Sequence, residues 1–170
     1  MTDAPPDDAT LAFAARVFQA ARDGDTGTLE PLLAGGLPAN LANDRGDTLV
    51  MLASYHGQAE AVRLLLSHGA DPDRANDRGQ TPLAGTAFKG ETEAARALLD
   101  GGARVDAAGP DGRTALMMAA MFDRADMVAL LLAHGADPAR RTPEGLDALG
   151  AARMMGARTT PPLLEPQRES

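Results

Sequence analysis

The chain has 170 residues, no cysteine and a formal net charge of −8. That length suits one domain. The absence of cysteine excludes disulfides and thiolate chemistry, and nothing requires an oxidising compartment. The acidic balance argues against general nucleic-acid binding, which needs a basic surface. No apolar run approaches the length of a membrane span.

Residues 1–9 open with Met1-Thr2-Asp3-Ala4-Pro5-Pro6-Asp7-Asp8. Pro and Asp dominate and little is apolar, so a disordered tail is expected. The segment lacks the basic start and apolar stretch of a signal peptide, so a cytoplasmic location is expected. Lys89 is the only lysine beside fifteen arginines, a bias that points to a GC-rich bacterial genome. Residues 10–42 predict a degenerate first helical pair. Its first helix, from about Leu11 to Arg22, carries Leu11, Ala14, Ala15 and Phe18 as its apolar side. A short second helix is expected from about Thr28 to Ala34.

From here a period takes over. Gly46, Gly79, Gly112 and Gly145 stand 33 residues apart, and so do Gly36, Gly69, Gly102 and Gly135. Two anchors locked to one period mean a stack of near-identical units. Residues 43–75, 76–108 and 109–141 are three full units. In each, Thr48, Thr81 or Thr114 stands where a first helix begins, with Pro82 at the first turn of the middle one. Gly57 and Gly90 close the first helices, and Asp123 takes that place in the third full unit, where positive φ costs Asp less than most residues. The second helices are amphipathic, with Val62, Leu65 and Leu66, or Val128, Leu131 and Leu132, on one face. Residues 142–164 start one more unit and form a C-terminal cap. Gly145 and Leu149 keep register and Gly156 closes the first helix. Pro161-Pro162 interrupts the second, but Leu163-Leu164 falls 33 residues after Leu130-Leu131, so the pair is expected to cover the open end of the core in a short or irregular segment. Residues 165–170 are expected to be a mobile tail.

Asp77-Arg78-Gly79-Gln80-Thr81-Pro82-Leu83, and the endings Leu64-Leu65-Leu66-Ser67-His68-Gly69-Ala70-Asp71 and Leu130-Leu131-Leu132-Ala133-His134-Gly135-Ala136-Asp137, resemble the ankyrin repeat. The resemblance covers residues 11 to about 156 and implies an all-α solenoid of helix-turn-helix units with β-hairpin or turn tips, about four repeats plus a partial cap. It departs from the family pattern where Leu49 and Ala115 replace the proline after Thr, and where Met51, Ala84 and Met117 replace the usual histidine, whose hydrogen bond to the neighbouring turn is lost.

In this architecture the first helices and the tips line a concave face, where partners usually dock. Two in-register columns face it: Arg22, Tyr55, Phe88, Met121 and Met154, then Asp23, His56, Lys89, Phe122 and Met155. Of the five aromatic residues, Phe13, Phe18, Tyr55, Phe88 and Phe122, three fall in these columns. Aromatic and Met side chains are enriched in binding hot spots. The rings could equally pack against the next unit and close the stack, and both readings stay open here. The tips add Asp44, Arg45 and Asp47, then Asp77, Arg78 and Gln80, then Asp111 and Arg113, either as a charged rim or as a solvated surface.

No constellation suits catalysis. The glycines match no phosphate loop or dinucleotide fingerprint. His68 and His134 close helices, where a cation suits the dipole, and no ligand set for a metal accompanies them. His56 has no evident nucleophile beside it. The expected function is therefore a non-catalytic module, without metal or cofactor, that binds another protein through its concave face. Tyr55, Phe88, Met121 and Phe122 would be apolar anchors, His56 and Lys89 would flank them, and Arg45, Arg78, Arg113, Asp44, Asp77 and Asp111 would form the rim. A monomer that contacts neither nucleic acid nor membrane is expected. Alternatives are an accessory or regulatory subunit of one enzyme, including a redox enzyme by family analogy, and a self-associating scaffold.

Overall fold

The computed structural model describes residues 4–166. Of the two expected tails, residues 1–3 and 167–170 lie outside the described residues. The described part is built of helices joined by turns. Ten helices run as α1 Asp8–Asp23, α2 Thr26–Ala34, α3 Leu49–Tyr55, α4 Ala59–Ser67, α5 Pro82–Lys89, α6 Thr92–Asp100, α7 Ala115–Met121, α8 Ala125–Ala133, α9 Ala148–Met154 and α10 Pro161–Leu164.

They stack in two rows. Helices α1, α3, α5, α7 and α9 pack in sequence as an inner row, and α2, α4, α6 and α8 as an outer row, with α10 against α8 and α9. This is the all-α solenoid expected from the period. The tips are turns rather than full hairpins, closed by single antiparallel bridges at Ala42–Thr48 and Ala108–Thr114. Adjacent tips are tied where the Asp77 N–H donates to the Arg45 carbonyl at 3.0 Å. Gly46 makes that approach possible: it sits at φ +76°, and a Cβ there would press into the backbone and carboxylate of Asp77.

Side-chain caps define where the inner helices start. Thr48, Thr81 and Thr114 accept from the N–H groups of Met51, Ala84 and Met117 at 3.2, 3.2 and 3.3 Å. In the fifth unit Asp147 does the same for Gly150 at 2.8 Å. Each satisfies one of the orphan donors of a first turn. Of the outer helices α2 has such a cap too, Asp25 accepting from the Thr28 N–H at 3.0 Å, whereas α4, α6 and α8 have none. In α4 and α8 the residue at the cap position instead reaches back to the inner helix of the preceding unit. Gln58 donates to the Arg22 carbonyl at 2.9 Å, and Arg124 to the Phe88 carbonyl at 3.3 Å. The ends of one unit are thereby satisfied by the next.

Small buried residues let the inner row close up. Ala53, Ser54, Ala87, Ala119 and Ala120 are fully buried, and Ser54 and Thr86 turn their hydroxyls onto the carbonyls of Met51 and Leu83. Larger residues fill the space between rows: Leu49, Val62, Leu65, Leu83, Leu98, Leu116, Val128 and Leu131. Among the described residues no buried side-chain nitrogen or oxygen lacks a partner. The methionines that replace the family's histidine, Met51 and Met117, are buried apolar contacts instead.

Three expectations need correction. The disordered stretch was expected to run to residue 9, but α1 begins at Asp8, because Asp7 accepts from the Thr10 N–H at 2.8 Å and caps the helix. The apolar side of α1 is also rotated. Val17, Ala20 and Ala21 are buried with Phe18 partly so, whereas Leu11 and Ala15 are exposed. The helix has neighbours on one side only, α2 and α3, and its contact face is set by them rather than by its most apolar residues. At the other end Leu164 is buried, but Leu163 is 44% exposed, so one residue of the expected pair covers the core.

Candidate binding groove

The concave face holds an open groove of about 520 Å³. Its walls come from the C-terminal ends of α3, α5 and α7 and from the tips before them. Tyr55 ends α3, Phe88 lies near the end of α5 and Phe122 caps α7.

The repeat dictates how these rings meet. Tyr55 and Phe88 occupy equivalent positions in successive units, so they lie nearly parallel, at 11° with centroids 6.5 Å apart. Phe88 and Phe122 are one position out of register, and they meet edge to face at 87° and 4.7 Å. His56 stands edge-on to Tyr55 at 5.5 Å, and the Lys89 ammonium lies 5.2 Å over the Tyr55 ring. Edge-to-face pairs contribute about 0.5–1.5 kcal/mol beyond area burial, and an exposed cation over a ring about 0.5–1 kcal/mol. The row is thus held in place before any ligand arrives. Tyr55 and Phe122 nevertheless remain 37% and 36% exposed. The two readings of the aromatic columns are therefore compatible: the rings pack on one another along one edge and face the groove with the other.

The polar side of the groove belongs to the tips. Asp47 is buried there, accepting from Asn76 Nδ2 at 2.9 Å and Asn43 Nδ2 at 3.3 Å, with Arg45 Nε at 3.7 Å. Asn43 and Asn76 also accept from their own turns, Asn43 from the N–H groups of Arg45 and Asp47 and Asn76 from those of Arg78 and Gln80. These amides hold the tips rigid and link two units through Asp47. In the next tip Arg113 lies 3.7 Å from Asp111. Arg78 differs from both. Gln80 stands where the preceding unit has Asp47, and among the described residues Arg78 makes no salt bridge.

Of the residues expected at the site, Tyr55, His56, Phe88, Phe122, Arg45, Arg78, Arg113 and Asp111 line the groove. Lys89 reaches it through Tyr55. Asp44 and Asp77 do not line it. They sit with Arg45 and Arg78 around a second, shallow depression at the tips. Met121 is half-buried and also outside the lining. Met51, Asn76 and Met118 belong to the groove and were not among the expected site residues, and Arg22, expected in the concave column but not as a contact, lines it as well. Asn43 and Asn76 could have been found, because they are one period apart and Asn is the residue that braces a turn with its own side chain.

His56 contacts an aromatic ring. His134 Nδ1 lies 2.9 Å from the Leu130 carbonyl at the end of α8. Among the described residues no group of three or more His, Asp or Glu side chains is placed to hold a metal, and no helix is long and apolar enough to cross a membrane.

Comparison with known proteins agrees with this architecture. A family model of three ankyrin repeats matches residues 17–109, 69–142 and 86–160. The chain belongs to the ankyrin-repeat family. It is also 54% identical over 66 residues to an ankyrin repeat protein of Pseudomonas aeruginosa, an alignment covering 37% of this chain and 39% of that protein. The shared stretch is thus well under two thirds of the relative's length. Ankyrin repeats are generally protein–protein interaction modules.

Proposed function

We propose that this ankyrin-repeat chain is a non-catalytic binding module that docks a partner protein in its concave groove. Tyr55, Phe88 and Phe122 are the apolar anchors, and Arg45, Arg78 and Arg113 orient the partner. The observation that carries this reading is the braced aromatic row, two of whose rings keep more than a third of their surface exposed. Exposed rings held rigid by their neighbours lose little entropy on binding, which is how hot spots gain affinity. A stacked solenoid also presents the same face free and bound.

The test is co-purification from the native cell beside a Tyr55→Ala, Phe88→Ala, Phe122→Ala variant whose helical circular dichroism matches the wild type. A partner held by the wild type and lost by the variant supports the reading, with a cost of about 1–4 kcal/mol for each anchor measured singly. Identical captures by both proteins would contradict it.

A further inference from the structure

The groove carries a charge opposite to that of the molecule. Four arginines, Arg22, Arg45, Arg78 and Arg113, line it against two aspartates, Asp47 and Asp111. That leaves two positive charges in a chain of formal net charge −8, so the surface outside the groove is more acidic than the whole. Lys89, the only lysine, adds its ammonium over Tyr55 at the same place. The aspartates do not cancel this evenly. Asp47 is buried under Asn43, Asn76 and Arg45, and Asp111 accepts from the Arg113 backbone N–H at 3.0 Å. Arg78, in the central unit, is exposed and makes no salt bridge among the described residues, with Asp44 and Asp77 beside it only around the shallow second depression.

We infer that the groove takes an acidic, extended peptide segment: its carboxylates meet Arg78 and the flanking arginines, and one large apolar side chain between them lies on Tyr55 and Phe122. This rests on the concave-face reading and states the chemistry of its occupant. A guanidinium without a partner matches a carboxylate in two-pronged fashion. The acidic surround repels polyanions as large as nucleic acid, whereas a short segment meets only the groove. The groove of about 520 Å³ is of a size to take a few side chains of an extended segment.

The probe is a display library of random unmodified peptides about ten residues long, some 33 Å when extended, panned on the intact chain. Enriched peptides are expected to carry Asp or Glu on both sides of a Phe, Tyr, Trp or Leu. Their binding should fall about tenfold or more in Arg78→Glu and weaken as salt rises. The Arg78 side chain makes no hydrogen bond among the described residues, so both Arg78→Glu and the milder Arg78→Gln should fold. Enriched peptides that are basic or neutral but are lost by the Tyr55, Phe88, Phe122 triple variant overturn the acidic occupant and leave the concave-face reading standing. Peptides indifferent to both sets of substitutions overturn both. Absence of any enrichment overturns the peptide occupant, and Arg78-dependent binding of poly(U) in its place overturns it in favour of nucleic acid.

Discussion

Gly85 lies inside α5, directly under the aromatic row. An added Cβ would meet Tyr55 Cδ2 at 3.4 Å, an ordinary contact. Glycine inside a helix costs about 0.5–1 kcal/mol relative to alanine. Gly85→Ala should therefore raise stability by about that amount in urea denaturation, with Tyr55 unmoved. A loss of stability would mean that the ring is more tightly fixed than the distances imply. Asp123 is the other telling residue. It holds φ at +56°, the one non-glycine among the described residues with positive φ. Its carboxylate accepts from the N–H groups of Arg158, Thr159 and Thr160 at 3.1, 2.9 and 2.9 Å, and from both threonine hydroxyls. Desolvation disfavours the charged form, but the hydrogen bonds from Arg158, Thr160 and Thr159 outweigh it and hold the carboxyl well below the usual carboxylate range. The folded state thus binds this proton less readily than the unfolded chain. The stabilisation is fully present above the ordinary carboxylate pKa and fades as pH falls below it. Asp123→Asn should speed amide exchange at Arg158–Thr160 at neutral pH and lose less further stability on acidification than the wild type. Unchanged protection would refute this role. The positive φ at Asp123 was legible, because the residue sits where the repeat has a helix-closing glycine. Its grip on Arg158–Thr160 was not, because those partners lie 35–37 residues away, past residue 156, where the resemblance in the sequence was last legible.

At the scale of elements, α10 shows how local chemistry ends a solenoid. Pro161 and Pro162 open the helix, where a missing N–H costs least, and four residues suffice to bring Leu164 onto α8 and α9. Leu164→Ala should cost about 2 kcal/mol, at the low end for a core leucine, whereas Leu163→Ala should stay within about 0.5 kcal/mol. Equal effects in denaturation would contradict the burial difference between them. The period alone placed both leucines in register. It could not decide which one is covered, because the two prolines change how the helix enters. The same limit explains α1. Its apolar side was expected at Leu11, Ala14, Ala15 and Phe18, of which Leu11 and Ala15 are exposed, because a terminal helix buries only the side that has neighbours. Internal helices escape this error, since units above and below enforce the same face at Val62 and Leu65 as at Val128 and Leu131.

Over the whole molecule, the stack converts one 33-residue pattern into a continuous surface. Equivalent positions become neighbours, which is why the columns holding Tyr55, Phe88 and Phe122 could be read from spacing. What spacing does not carry is the third dimension of the tips. It placed Asp44 and Asp77 beside Arg45 and Arg78 in sequence, but they line a second depression and not the groove, while Asn76 crosses to the preceding unit's Asp47. The methionines offer the most direct test of the claim that partners dock on the concave side. Met51 and Met118 line the groove, and Met127 is buried in α8 of the outer row. With methyl-labelled methionine, titration by the partner recovered through co-purification should shift the Met51 and Met118 signals and leave Met127 in place. A shift at Met127 with Met51 and Met118 unmoved would put the partner on the opposite face and contradict the account.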